Sequence, residues 1–194
     1  MIVKNNFAII LGIAGLALYA MSQNHKSLTE IVDGVMNAND NVNALMMVIR
    51  RHESANNYAA TYANQFQITD FSDHPANLGW KGVVLPDDFC RAVNLSPGCK
   101  STAAGAYQFI KPTWNGLIAK YGFPNFESAS QDAAAYALLD EIGAIELAHV
   151  GDIVGALQLA SKQWASMPFS TAGQPKANLE SVIAEYENYG GTVA

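Results

Sequence analysis

Val42-Asn43-Ala44-Leu45-Met46-Met47-Val48-Ile49-Arg50-Arg51-His52-Glu53-Ser54 decides the fold of this chain. Leu45, Met46, Ile49 and Glu53 recur at spacings of three and four, so one stripe of a helix carries apolar residues and, at its C-terminal end, a carboxylate. Burial against apolar groups raises the pKa of a carboxyl and keeps it protonated near neutrality, the state that a general acid needs. The competing reading of Glu53 is a structural ion pair with Arg50 or Arg51, or plain exposure.

Downstream of that helix, between Ser54 and Lys100, the periodicity fades and Asp70, Asp73, Pro75, Gly79, Gly82, Pro86 and Pro97 punctuate the chain, which predicts loop and short strand. Helical patterns resume at Pro112 and stop at Tyr121-Gly122. A second helix is predicted from Ser128, with Ser128-x-x-Gln131 as a capping box, through Tyr136, Leu139 and Ile142 to Gly143. Asp152 caps a third, which sets Ile153, Leu157, Ala160 and Trp164 on one face before Pro168, and Leu179, Ile183 and Tyr186 mark a last helix over 177–189. The outline is an α+β, predominantly helical domain over 42–194, with a small irregular lobe and a helical lobe flanking a cleft.

Upstream, residues 25–41 are polar and asparagine-rich around Leu28, Ile31, Val32 and Val35, and read as a linker or stalk. Residues 1–24 hold the uncharged apolar run Phe7 to Met21 behind Lys4. Such a run enters a membrane, although fifteen helical residues reach only about 22 Å against a hydrocarbon core of about 30 Å. A cleaved signal peptide, a retained anchor and a weak, releasable anchor diluted by Gly12, Gly15 and four alanines all fit the segment. The positive charge before it sends the rest of the chain across the membrane.

The 194 residues are half hydrophobic and 14% charged, a globular profile with room for one core. A net charge of -6 argues against nucleic acid as a partner, which calls for a basic face. Cys90 and Cys99, separated by a Pro97-Gly98 turn, suit a small disulfide loop in an oxidising compartment, with two buried thiols as the alternative. His25, His52, His74 and His149 have no metal-ligand spacing, and neither a metal nor a cofactor is expected.

A second chemical element is Ser101-Thr102-Ala103-Ala104-Gly105-Ala106-Tyr107-Gln108-Phe109. Its small residues permit close backbone approach, while Tyr107 and Gln108 offer a stacking edge and a bidentate amide of the kind that suits sugars, with Ser101 a weaker candidate for the same surface. An ordinary turn entering a helix explains the same composition. Trp164 reads as core rather than as a sugar platform.

Glu53-Ser54 followed by Gly105-x-Tyr107-Gln108-Phe109-x-x-Pro112-x-Trp114 resembles the glutamate and GxxQ-type motifs of the lysozyme-like transglycosylases. Thr69 to Pro75, Ser101 to Gln108, Ser130-Gln131-Asp132-Ala133, Trp164 to Pro168 and Gly190-Gly191-Thr192-Val193 resemble, in order, the lambda-type phage endolysins over residues 43–194. The resemblance implies a lysozyme-like fold and a lytic transglycosylase acting on peptidoglycan glycan strands, with Glu53 at the position of the catalytic residue. A monomeric catalytic domain is expected, and the N-terminal apolar run behind Lys4 makes it membrane-anchored or exported, in the periplasm or, if virion-associated, on the virion membrane. Hydrolysing phage lysozymes carry a Glu, eight residues, Asp or Cys, five residues, Thr pattern, and here those positions are Tyr62 and Ile68. Asp70 and Asp73, in a Ser/Thr/Asp-rich turn of the small lobe, read as fold-stabilising acceptors, with a contribution as a second carboxylate as the alternative.

Overall fold

A computed structural model describes residues 26–171 and 175–194. The apolar run over 7–21, with every reading made of it, lies outside the described residues. Among those described, no helix is long and apolar enough to cross a membrane, and no three His, Cys, Asp or Glu side chains gather as a metal site.

The helix with the deciding stripe is α2, Asp40–Ser54, which runs through the middle of the domain and buries Val42, Ala44, Leu45, Met46, Val48, Ile49 and Glu53. Asn39 caps it by accepting the Val42 N–H, and Ala55 in the left-handed region ends it. Around it pack α5 (Ser128–Glu141), α6 (Ala144–His149) and α8 (Leu179–Asn188). Helix α7, Ile153–Ala160, packs on α6 and is capped by Asp152, whose side chain accepts the Gly155 N–H. The pattern predicted that face as far as Trp164, but the helix stops at Ala160 and Trp164 enters the core from the turn that follows.

Leu28–Met36, expected as part of a stalk, forms helix α1, docked on α5. A full capping box between Ser27 and Glu30 starts it, and Ile31 is wholly buried. Gly34 makes the close approach possible, since a β-carbon there would lie 2.7 Å from the Tyr136 ring. Lys26 pairs with Asp140 at 2.5 Å. The stalk reading missed this because a helix with one buried isoleucine per two turns has too narrow a stripe to announce its docking.

The expected capping box at Ser128 does not form. Glu127 is the N-cap of α5 without a side-chain bond, and Gln131 turns inward instead. Helix α4, Lys111–Tyr121, has proline in its first turn and Gly122 in the left-handed region after its end, as the sequence predicts.

The small lobe, over 55–104, contains a 3-10 turn at Tyr62–Asn64, strands β1 (Val83–Val84) and β2 (Lys100–Ser101), and one short helix, α3 (Asp87–Ala92). The strands pair antiparallel, Val83 opposite Ser101. A Cys90–Cys99 disulfide joins α3 to the residue before β2 and closes a satellite cluster of Leu85, Cys90, Phe89 and Tyr62. Helix α3 was missed because six residues with three charges carry no readable periodicity. A backbone bond from Tyr62 N–H to Ala103 O holds the lobe together, and one from Gly105 N–H to Ala60 O ties it to the loop over 104–109, both 2.8 Å.

Candidate active site

Glu53 is completely buried in the last turn of α2. Its Oε1 accepts a 2.5 Å hydrogen bond from the Ser166 hydroxyl, and among the described residues its Oε2 has no hydrogen-bond partner. Burial pushes the carboxyl up to about 8, against the opposing pull of the Ser166 side chain and backbone. The carboxyl is protonated at neutral pH.

The ion pair that competed for Glu53 goes elsewhere. Arg50 donates to Asp132 of α5 at 3.0 Å, and Tyr58 and Tyr107 donate to the same carboxylate at 2.8 and 2.7 Å. Arg50 also meets the Tyr58 hydroxyl. His52 faces Glu185 of α8 at 3.0 Å. Arg51 is exposed.

The loop over 104–109 packs against this end of α2 through Ser54, whose hydroxyl donates to Ala106 O at 2.9 Å. Gln131 secures the loop from the other side, accepting the Ala106 N–H at 2.7 Å. Gly105 and Gln108 both have positive φ, 79° and 50°. Gln108 stabilises the turn by donating from Nε2 to Gly105 O at 2.9 Å, and its buried Oε1 has no partner among the described residues. His74 is buried beside the loop, with Nε2 bonded to Phe109 O at 2.9 Å and Nδ1 accepting the Ala76 N–H. Burial lowers its pKa to about 4, so the ring is neutral, with its proton on Nε2.

The expected sugar-contacting residues are all interior. Tyr107 and Gln108 have no exposed surface, and Ser101 is 3% exposed with its oxygen turned to the Ala103 N–H. The Tyr107 hydroxyl is committed to Asp132 and its carbonyl accepts the Trp164 indole N–H at 3.1 Å. Sequence reasoning assigned these side chains to a ligand because aromatic and amide groups serve a sugar and a buried network equally well. Trp164 is core, as read. Asp73 accepts from His74 N–H, Trp114 Nε1 and Asn77, and Asp70 from Ser72 N–H, which makes both acceptors within their own region of the fold.

An open groove of about 280 Å³ in the small lobe holds Phe66 edge-on to Trp80, ring centroids 5.5 Å apart, with Leu78 and Asp70 beside them. Neither this groove nor Ser166 stood out in the sequence as chemistry. Ser166 did lie inside the Trp164 to Pro168 match, a run of small and apolar residues that marks a turn without naming its hydrogen bond.

The family model of the endolysins matches residues 43–193. The chain belongs to the endolysin family. The endolysin of Escherichia phage lambda is 37% identical over 126 residues, 65% of this chain and 71% of its own length. The endolysin of Escherichia phage P2 is 29% identical over 172 residues, 82% and 99% of the two chains. The solved structure of bacteriophage lambda lysozyme complexed with a chitohexasaccharide aligns with a TM-score of 0.67 and 30% identity over 80% of this chain and 97% of that one. The fold is thus the helix-dominated lysozyme-like α+β fold, and this endolysin is a peptidoglycan-cleaving glycosidase of phage type.

Proposed function

We propose that this endolysin is a lytic transglycosylase that cleaves the β-1,4 bond between N-acetylmuramic acid and N-acetylglucosamine, with Glu53 as its acid and base. The observation that carries the reading is the Glu53 carboxyl, fully buried, with one oxygen held by Ser166 and the other without a partner among the described residues. Hydrolysis by two carboxylates needs a second one about 5 to 9.5 Å away. Asp132 and Asp73, both half-buried, accept hydrogen bonds from other side chains, Asp132 from Arg50, Tyr58 and Tyr107 and Asp73 from Trp114 and Asn77.

One acid suffices when the substrate supplies its own nucleophile. Glu53 gives its proton to the glycosidic oxygen as the bond to the anomeric carbon breaks, and the N-acetylglucosamine end leaves as an alcohol. The resulting carboxylate takes the proton of the C6 hydroxyl of N-acetylmuramic acid, whose oxygen closes on the anomeric carbon. Glu53 is protonated again, and the product is a 1,6-anhydro sugar. Because Glu53 is fully covered, glycan binding has to displace part of that cover. The groove of Phe66, Trp80 and Asp70 offers the apolar faces and carboxylate that pyranose rings favour. The apolar run Phe7 to Met21 supports delivery to or across a membrane, where N-terminal sequencing of the mature protein distinguishes cleavage from retention.

Mass spectrometry of the muropeptides released from purified peptidoglycan tests the reading. Anhydro ends are expected, and reducing ends would overturn the transglycosylase in favour of a hydrolase. Glu53→Gln is expected to release nothing.

A further inference from the structure

Two oxygens of one carboxyl are distinguished in this site. Oε1 of Glu53 is held at 2.5 Å by the Ser166 hydroxyl, while Oε2 is buried with no partner. A neutral carboxyl has one carbonyl oxygen and one hydroxyl oxygen, and a serine that donates to one of them makes that one the acceptor. The proton then belongs on the other.

We propose that Ser166 is a positioning residue for Glu53: its hydroxyl fixes Oε1 as the acceptor and so makes Oε2 the oxygen that delivers and recovers the proton. This rests on the reading of Glu53 as the acid and base. The same bond serves both half-reactions. In the first it orients the carboxyl, and in the second it donates to the carboxylate when the leaving group has gone.

The backbone around Ser166 is built to hold the hydroxyl still. Trp164, two residues earlier, is fixed through its indole N–H to Tyr107 O at 3.1 Å and through its own N–H to Ala160 O at 2.9 Å. Met167 N–H returns to Trp164 O, and Ser166 O accepts the Ala177 N–H at 2.8 Å. Tyr107 is in turn bound to Asp132. The buried residues of the 104–109 loop thereby acquire a purpose without touching glycan: they set the position of the turn that carries Ser166. Arg50 and Tyr107 are engaged with Asp132, His52 faces Glu185 and Arg51 is exposed, so that among the described residues Ser166 is the group bonded to the Glu53 carboxyl.

The test is Ser166→Ala in the full-length chain, assayed on soluble uncrosslinked glycan strands across pH. Expected are a fall in kcat on the order of 10-fold to 100-fold with KM little changed, an alkaline limb of kcat/KM displaced to higher pH because a donor to the charged form is gone, and recovery in Ser166→Thr. A kcat/KM profile that superimposes on that of the unsubstituted protein, with Glu53→Gln inactive, would overturn the role of Ser166 and leave the reading of Glu53 intact. Glu53→Gln retaining full activity would defeat both. If Ser166→Ala fails to fold, infrared spectra of the unsubstituted protein still decide. The carbonyl stretch assigned by its absence in Glu53→Gln is expected at a hydrogen-bonded frequency, and a free carbonyl frequency would overturn the proposal.

Discussion

Gln131 and Gly105 compete for one space: a β-carbon on Gly105 would lie 2.3 Å from Gln131 Oε1, the atom that accepts the Ala106 N–H at 2.7 Å. Glycine at 105 is required twice, by its φ of 79° and by this approach. The pair joins α5 to the loop that packs on the end of α2, so its energetics report how firmly the acid's surroundings are held.

Gly105→Ala is expected to destabilise the protein by about 3 kcal/mol, from the left-handed alanine and the overlap with Gln131 together. Gln131→Ala removes the overlap but also the bonds to Ala106, Phe126 and Tyr58. A double-mutant cycle read by urea unfolding should therefore be non-additive, with the double variant more stable than the summed singles by 1 kcal/mol or so. Strict additivity would show that the two residues do not share the space.

How much of this was legible beforehand depends on how far each signal reaches. The α2 stripe announced both the central helix and the burial of Glu53, because three- and four-residue spacings report directly on a helix face. Gly122 and Asp152 likewise act within a few residues. Asp132, Gln131 and Ser166 do not: their partners are 25 to 113 positions away, at Tyr107, Ala106 and Glu53, and a spacing rule has no access to such distances. Tyr107 and Gln108, read as glycan contacts, lie in the interior, because an aromatic and an amide that suit a sugar suit a buried network equally well.

Glu53→Gln should alter stability in a pH-dependent manner. The carboxyl ionises near 4.5 in the unfolded chain and near 8 in the folded one. Between those values the folded state keeps a proton that the unfolded state has released, so stability falls as pH rises through the window and levels off above 8. Glutamine has no such slope. The variant should match the unsubstituted protein below pH 4.5 and exceed it by about 3 kcal/mol at pH 7, from 1.36 kcal/mol per unit. His74, lowered to about 4, adds a rise in stability from pH 4 to 6.5, but it is common to both proteins and cancels in the difference. Thermal or urea unfolding from pH 4 to 9 checks this, and a difference that is flat with pH would mean that Glu53 ionises normally.

The disulfide should matter locally. Cys90 is buried with Leu85 in a cluster separate from the main core, and Cys99 packs on it. Closing the short loop between them contributes roughly 2 to 3 kcal/mol in the loop-entropy account. Cys90→Ser with Cys99→Ser should lower unfolding stability by about that amount, while proteolysis opens residues 85–99 first and α2, α5 and α8 remain protected from hydrogen exchange. Equal loss of protection throughout would show that the small lobe and the helical core unfold as one unit.

The pH dependence of turnover follows from the same carboxyl. On the proposed mechanism the free enzyme starts with Glu53 protonated, a form that predominates below about 8 and is lost above it. The value of kcat/KM on soluble glycan strands should therefore hold through neutrality and fall tenfold per pH unit on the alkaline side, with its midpoint close to 8. An acid exposed to water would instead lose its proton near 4.5 and leave little activity at pH 7. A midpoint of 5 or below would thus contradict the burial of Glu53 in the state that binds substrate. A midpoint near 8 in the unsubstituted protein, together with loss of all turnover in Glu53→Gln, would tie the titration to this one carboxyl.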